Sequence, residues 1–454
     1  MYADDLARRA ADGRPVTVAL VGAGRFGTTV AAQVGQMRGL RLAVVCDIRP
    51  ANAREALRAA GYADEQIVEA AAPGAVGDAL ATGRAALSTD PLVAAHSPVD
   101  VVVEVTGAPH VAALVISEAL GHGRHVVNVT VEADILLGAC FVHLAAANGV
   151  VYSVADGDQP GVTRRLIDWA EALGYRIVAV GRGTRFYPSD AEGQPEEAFA
   201  RYGFSADLVA RRRLNPQMYN SFRDGSKAQI EMTSLANMTG LAPDVRGMHQ
   251  PSAGVGDLPR LFCPREHGGL LSREGVVELA NAVAPDGASL LPDELTNGVF
   301  VVLGTDSPLL GEDTVLWGLP GHVGRFAALY RPYHLCGIET PLSILDAALY
   351  GRPTGAPRPV PTAECLAVAK RDLRAGEILD GSGGKTVVGQ IERAGVARAG
   401  NLLPLGLAYN VPLRRDIPRG QALTYDDVRL DESAPAVRLR RQQDALTAAA
   451  LAAD

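Results

Sequence analysis

Short apolar runs rich in β-branched residues alternate with longer amphipathic stretches from Val16 to about Gly181. Residues 17–22 (TVALVG), 41–47 (RLAVVCD), 100–107 (DVVVEVTG), 125–131 (HVVNVTV), 149–155 (GVVYSVA) and 175–181 (YRIVAVG) are nearly continuously apolar, as strands covered on both faces are. Between them, residues 111–123 (VAALVISEALGHG) and 135–149 (ILLGACFVHLAAANG) carry the helical period and run into glycines suited to end a helix. Strands that alternate with helices predict βαβ units, here an α/β fold with a doubly wound parallel sheet.

After Gly181 the texture becomes mixed and rich in proline and glycine, with a helix predicted from Gly225 to about Thr239 that stops at Gly240. A second, α+β domain therefore follows the sheet. Residues 351–362 (GRPTGAPRPVPT) read as an extended linker, and residues 363–435 as a small unit of short strands and turns, with two similar passages, DLRAGEIL and DIPRGQALTYDDV. The expected division is 1–181 for the first domain, 182–350 for the central one, and 436–454 for a loose terminal helix or tail. Residues 150–181 could fall on either side of the first boundary.

Composition narrows the partners. With 454 residues, 48% of them hydrophobic, the chain can bury several domain cores. Its 43 basic and 51 acidic residues give a net charge of −8, and no sustained Lys/Arg run is present. That balance speaks against nucleic acid and anionic lipid and for a small-molecule partner. Five scattered cysteines without a CxxC pair fit a reducing compartment and no cysteine zinc site. The N-terminal MYADDLARRAADGRP lacks an apolar core, and no run of about 18 apolar residues could span a bilayer. A cytoplasmic location is expected.

The first strand ends in Gly22-Ala23-Gly24-Arg25-Phe26-Gly27, at the head of a helix predicted near Arg25. In such a loop Gly22 makes the tight turn, Gly24 lets the backbone approach a pyrophosphate, and Gly27 lets helix and strand pack closely. Asp47 closes the second strand, twenty residues after the last glycine, where a carboxylate accepts hydrogen bonds from the adenosine ribose. Strand, loop, helix and acid together predict a dinucleotide site. Asp47 repels a 2′-phosphate and Arg49 attracts one, so NAD and NADP both stay open. Thr106 and Gly107, at the end of another strand, mark the second edge of the cofactor site.

The chemical candidates lie in Asn215–Met232 (NPQMYNSFRDGSKAQIEM). On one helix, Asp224, Lys227 and Glu231 would share a face, with Asn220 and Ser221 beside them as substrate contacts. A solvated salt-bridge face is the competing explanation. Asp158 follows a strand and could hold a hydroxylated substrate, a divalent ion or a helix N-terminus. Arg182 and Arg185, in GRGTRFY, suit a phosphate or carboxylate. His334, in YRPYHL, is a further substrate-binding candidate.

GAGRFG with Asp47, EVTG, VEAD (residues 131–134), GDQP (157–160), NPQMYNSFRDGSK and YRPYHL stand in an order that resembles the homoserine-dehydrogenase-like oxidoreductases with a C-terminal SAF domain. That group includes the deoxyxylulose-phosphate reductoisomerase-like enzymes, and the resemblance covers about residues 16–432. It implies a Rossmann cofactor domain, a central domain for catalysis and for assembly into a homodimer or homotetramer, and a terminal SAF-like unit. It also implies an acid and a lysine on the central segment, matched here by Asp224 and Lys227. These stand three residues apart where homoserine dehydrogenases are expected to have four, which speaks against homoserine itself. The implied activity is NAD(P)H-dependent oxidation or reduction of a small polar, phosphorylated or polyhydroxylated compound, with Lys227 as proton carrier and Asp224 and Glu231 orienting it. Reductoisomerase chemistry would add a divalent ion on carboxylates such as Asp158 and Glu231, whereas a homoserine-type dehydrogenase needs none. A non-catalytic dinucleotide sensor is the alternative from another class.

Overall fold

The computed structural model describes residues 2–212 and 214–453. The described residues divide into two compact units: those within 2–158, 335–359 and 433–453 in the first, and those within 159–212, 214–334 and 360–432 in the second.

The first unit is built on seven parallel strands: Val16–Val21 (β1), Leu40–Cys46 (β2), Ile67–Glu69 (β3), Ala85–Ser88 (β4), Val101–Glu104 (β5), His125–Asn128 (β6) and Tyr152–Val154 (β7). Their order is β3-β4-β2-β1-β5-β6-β7, so the chain fills one side of β1 with β2, β3 and β4 and then the other with β5, β6 and β7. This is a Rossmann-type doubly wound sheet, and its switch point lies between β1 and β5. Five of the six apolar runs form its strands. The short β3 and alanine-rich β4 escape sequence reading because alanine carries little strand propensity.

In the second unit, Arg176–Thr184 (β8), Ala242–Pro243 (β9), Val276–Asn281 (β10), Val299–Gly304 (β11), Gly321–His322 (β12) and Phe326–Arg331 (β13) form a mixed sheet ordered β12-β13-β11-β8-β10-β9. The run 175–181, expected in the first sheet, is instead a central strand here. Both its faces are covered, which produces the same apolar signature in either sheet. Val180 packs in the cluster that includes Met232 and Leu235, and Val178 in the cluster that includes Phe262 and Phe300.

Ala363–Ala369 (β14) pairs antiparallel with Val387–Arg393 (β16), and Ile378–Asp380 (β15) with Tyr409–Pro412 (β17). The expected detachment of this region is not what the fold shows, because these strands share one compact unit with the mixed sheet. The helix Ser226–Thr239 explains why. It is buried along its whole length, and its polar side chains close backbone groups of the C-terminal strands. Ser226 Oγ accepts from Gly389 N at 3.0 Å, Gln229 Oε1 from Ile391 N at 2.9 Å, and Asn237 Oδ1 from Thr362 N and Ala363 N at 3.0 Å. An unpaired buried N–H costs about 1–3 kcal/mol, so these side chains bind the two parts together.

The expected linker is also held in place. Val154 N donates to Gly355 O at 2.8 Å, and Thr354 N donates to Ser153 Oγ at 2.9 Å, so residues 354–355 dock beside β7. The terminal helix, Pro435–Ala453, is not loose. Its Gln443 reaches into the helix Val131–Ala147, accepting from Cys140 N at 3.0 Å and donating to Leu136 O at 3.0 Å. No described helix is long and apolar enough to cross a membrane.

Candidate active site

At the switch point of the first sheet each loop glycine has a separate physical duty. Gly22 sits at φ +100°, and a Cβ there would meet Val105 O at 2.7 Å, so the loops after β1 and β5 touch at this residue. A Cβ on Gly27 would lie 2.0 Å from Gly22 O, which pins the helix Arg25–Gln36 against the loop. Gly24 differs: a Cβ there meets nothing within 4 Å. Its backbone is open on the side from which a pyrophosphate can approach a helix N-terminus. Arg25 is exposed beside it, while Phe26 packs against the first core.

Asp47 fixes the loop. Its Oδ2 accepts from Ala23 N at 2.8 Å, and its Oδ1 from Arg49 N at 2.9 Å and Asn52 Nδ2 at 3.1 Å. A carboxylate offers about four acceptor positions, so one remains for a ribose hydroxyl. Arg49 is exposed and precedes the helix Pro50–Ala59, and only its backbone N–H engages Asp47.

The loop after β5 is organised by a residue that the sequence reading passed over. Glu104 is fully buried, and its Oε1 accepts from Thr106 N at 2.8 Å and from the Thr106 hydroxyl, which in turn accepts from Ala108 N at 3.2 Å. Gly107, at φ +67°, donates to Thr130 Oγ1 at 3.0 Å. Among the described residues no donor has hydrogen-bonding geometry at Oε2 of Glu104, although the Thr130 hydroxyl lies near enough to favour the ionised carboxylate. Burial pushes this carboxyl up to about 7, against the hydrogen bonds from Thr106. An acid inside the run VVVEVTG was the available signal.

Residues 156–158 are held by their own unit: Asp156 N donates to Ser343 Oγ at 2.7 Å, and a Cβ on Gly157 would strike Leu335 O at 2.7 Å. Asp158 itself is buried.

In the second unit the expected single face of Asp224, Lys227 and Glu231 is broken. Asp224 terminates the helix Pro216–Arg223, and Gly225, at φ +87°, turns the chain before Ser226–Thr239 begins. Lys227 and Glu231 stay one turn apart on the second helix, and both are more than nine-tenths buried. A solvated salt-bridge face is therefore excluded. Asp224 is committed elsewhere. It accepts from Ser226 N at 2.8 Å, and its other oxygen lies 2.6 Å from Lys370 Nζ, which also donates to Gly384 O at 2.6 Å and Gly193 O at 3.2 Å. Burial raises its carboxyl and the Lys370 ammonium opposes that rise. Nothing in the sequence links Lys370 to Asp224, since 146 residues separate them.

Glu231 forms a buried ion pair with Arg182, whose Nε donates to Gly183 O at 2.9 Å. A guanidinium against this carboxylate is the wrong neighbour for a divalent cation, so Glu231 does not fit the metal-ligand role expected for it. Arg185 is exposed. Asn220 and Ser221, expected to touch substrate, have their side-chain donors engaged with backbone carbonyls. Asn220 Nδ2 donates to Gly193 O and Gly383 O, each at 2.8 Å, and Ser221 Oγ donates to Met218 O at 2.6 Å. His334 has Nδ1 2.7 Å from Asn297 O, which anchors its ring.

Two family models match successive parts of the chain. Residues 22–155 match the homoserine dehydrogenase NAD-binding domain, and residues 157–340 match the catalytic domain of oxidoreductase DRL. No curated protein sequence matches the chain. Among solved structures, 1-deoxy-D-xylulose 5-phosphate reductoisomerase from Zymomonas mobilis in complex with NADPH is similar at 13% identity over 49% of this chain, with a TM-score of 0.32. The chain spans 57% of that protein. Scyllo-inositol dehydrogenase from Lactobacillus casei, with bound NAD(H) and scyllo-inositol, is similar at 12% identity over 69% of this chain and 76% of its own, with a TM-score of 0.35. GenD2 from gentamicin A biosynthesis, in complex with NAD, is similar at 14% identity over 75% of this chain and 88% of its own, with a TM-score of 0.34.

Two family models thus fall on successive parts of the chain: one of an NAD-binding domain over residues 22–155, on the Rossmann-type sheet, and one of an oxidoreductase catalytic domain over residues 157–340.

Proposed function

We propose that the chain is an NAD(P)-dependent oxidoreductase that transfers hydride between the dinucleotide and a small polar carbonyl or hydroxyl compound that is phosphorylated or polyhydroxylated. Gly22, Gly24 and Gly27 hold the pyrophosphate, Asp47 gives its remaining acceptor position to the ribose, and Thr106 and Gly107 form the second edge of the cofactor site. The cofactor supplies the hydride chemistry when bound. Lys227 gives a proton to the reacting oxygen during reduction, or takes it during oxidation. Arg182 and Glu231 keep the neighbourhood of that ammonium polar and fixed, and Arg185 and His334 are the contacts offered to an anionic or hydroxylated substrate.

The observation that carries this reading is the burial of Lys227, at 7% exposure, one turn from a carboxylate already neutralised by Arg182. Burying an ammonium is costly, and a position that keeps one away from bulk water suits proton transfer better than solubility. The test is an assay of phosphorylated sugars and unphosphorylated polyols with each cofactor. Turnover with a member of either group supports the substrate class. Turnover confined to apolar alcohols contradicts it.

A further inference from the structure

At the opposite edge of the first sheet from the dinucleotide loops, three potential metal ligands converge. The helix Pro91–His96 leads towards β5 and the helix Pro109–Gly121 towards β6. Each runs back along parallel strands, so both end at the amino edge of the sheet, whereas Gly22 and Thr106 lie at its carboxyl edge. His96 closes the first helix. Glu118 and His122 stand four residues apart at the end of the second, a spacing that places them on one face.

We propose that His96, Glu118 and His122 form a zinc-binding site. His96 Nε2 lies 2.9 Å from Glu118 Oε2, and His122 Nδ1 lies 3.9 Å from the same oxygen. The three ligand atoms all fall within 4.8 Å of one another. Tetrahedral zinc with bonds of about 2.0–2.1 Å separates its ligands by roughly 3.3 Å, and the two measured spacings straddle that value. The imidazole rings stack with centroids 3.9 Å apart and planes inclined by 28°, so both present an edge to the same carboxylate.

Two imidazoles and one carboxylate form a donor set that suits zinc better than magnesium or calcium, which prefer oxygen alone. Side-chain exposures of 28% for His96, 39% for Glu118 and 47% for His122 leave room for water to complete the coordination. His122 Nδ1 also lies 2.8 Å from Glu118 O, and zinc exchanges that contact for a metal bond. The ion would clip two helices together without touching the cofactor loops. This inference stands apart from the proposed substrate.

The test is titration of tag-free, full-length protein with zinc against a chromophoric chelator, with magnesium as the control, alongside thermal unfolding. One zinc per chain and a midpoint raised by several degrees in excess zinc are expected. Both effects should be lost in the His96→Gln, His122→Gln double variant. The single Glu118→Gln variant should bind zinc at least tenfold more weakly. Cofactor affinity should be unchanged in both variants. Absence of zinc uptake by the unaltered chain, or an undiminished equivalent of zinc in the double variant, overturns the proposal.

Discussion

Lys370 places its ammonium 2.6 Å from the Asp224 carboxylate, with both side chains sealed from solvent, and so ties the end of β14 to the turn that introduces the Lys227 helix. The same ammonium closes the carbonyls of Gly193 and Gly384. Removing one partner of such a pair leaves a buried charge without compensation, at a cost of about 3–5 kcal/mol. Lys370→Met should therefore lower unfolding stability in urea by that order and impair activity with it. A loss below about 1 kcal/mol would show that the pair is not a principal brace.

The glycine loop separates two effects that a single substitution usually mixes. Gly24 has open space where a side chain would go, and its φ of −70° is allowed to any residue. Gly24→Val should fold normally and lose cofactor affinity by about tenfold or more, which is at least ~1.4 kcal/mol of binding. Gly27→Val should instead destabilise the fold, because its Cβ would lie 2.0 Å from Gly22 O. Thermal unfolding and NADH or NADPH titration of both variants check this. Unaltered binding in Gly24→Val would contradict the pyrophosphate assignment.

Glu104 gives stability a pH dependence of definite sign. Its ordinary value is 4.5 and burial raises it to about 7, so between these values the folded chain keeps a proton that the unfolded chain has released. Its contribution is fully favourable below about pH 4.5, falls as pH rises, and is lost above about 7, a swing of about 3 kcal/mol. Glu104→Gln should remove that slope, so the variant gains on the unaltered protein between pH 5 and 8. Urea unfolding at both pH values measures it, and parallel stabilities would contradict it.

How far the sequence could be read depends on how local each determinant is. The glycine loop, Asp47 and the Ser226–Thr239 helix are encoded by nearby residues, and the structure has them within a residue or two of expectation. What escaped depends on distant partners. Residues 175–181 look alike in either sheet, and only packing against Met232 and Phe300 assigns them to the second. Asn220 and Ser221 look like pocket residues until the loop around Gly383 is brought against them. The polar residues of the Lys227 helix suggest a ligand site, yet two of them, Ser226 and Gln229, serve the backbone of β16.

The central claim is that Lys227 carries the proton during hydride transfer. Its most direct test is steady-state turnover of Lys227→Met, with the first compound that the cofactor-linked screen turns over, beside a titration of the same variant with cofactor. The account predicts that kcat falls by about two to four powers of ten while cofactor affinity and fold are retained. Turnover within a few-fold of the unaltered protein would contradict it and leave Lys227 a structural residue of a buried polar helix.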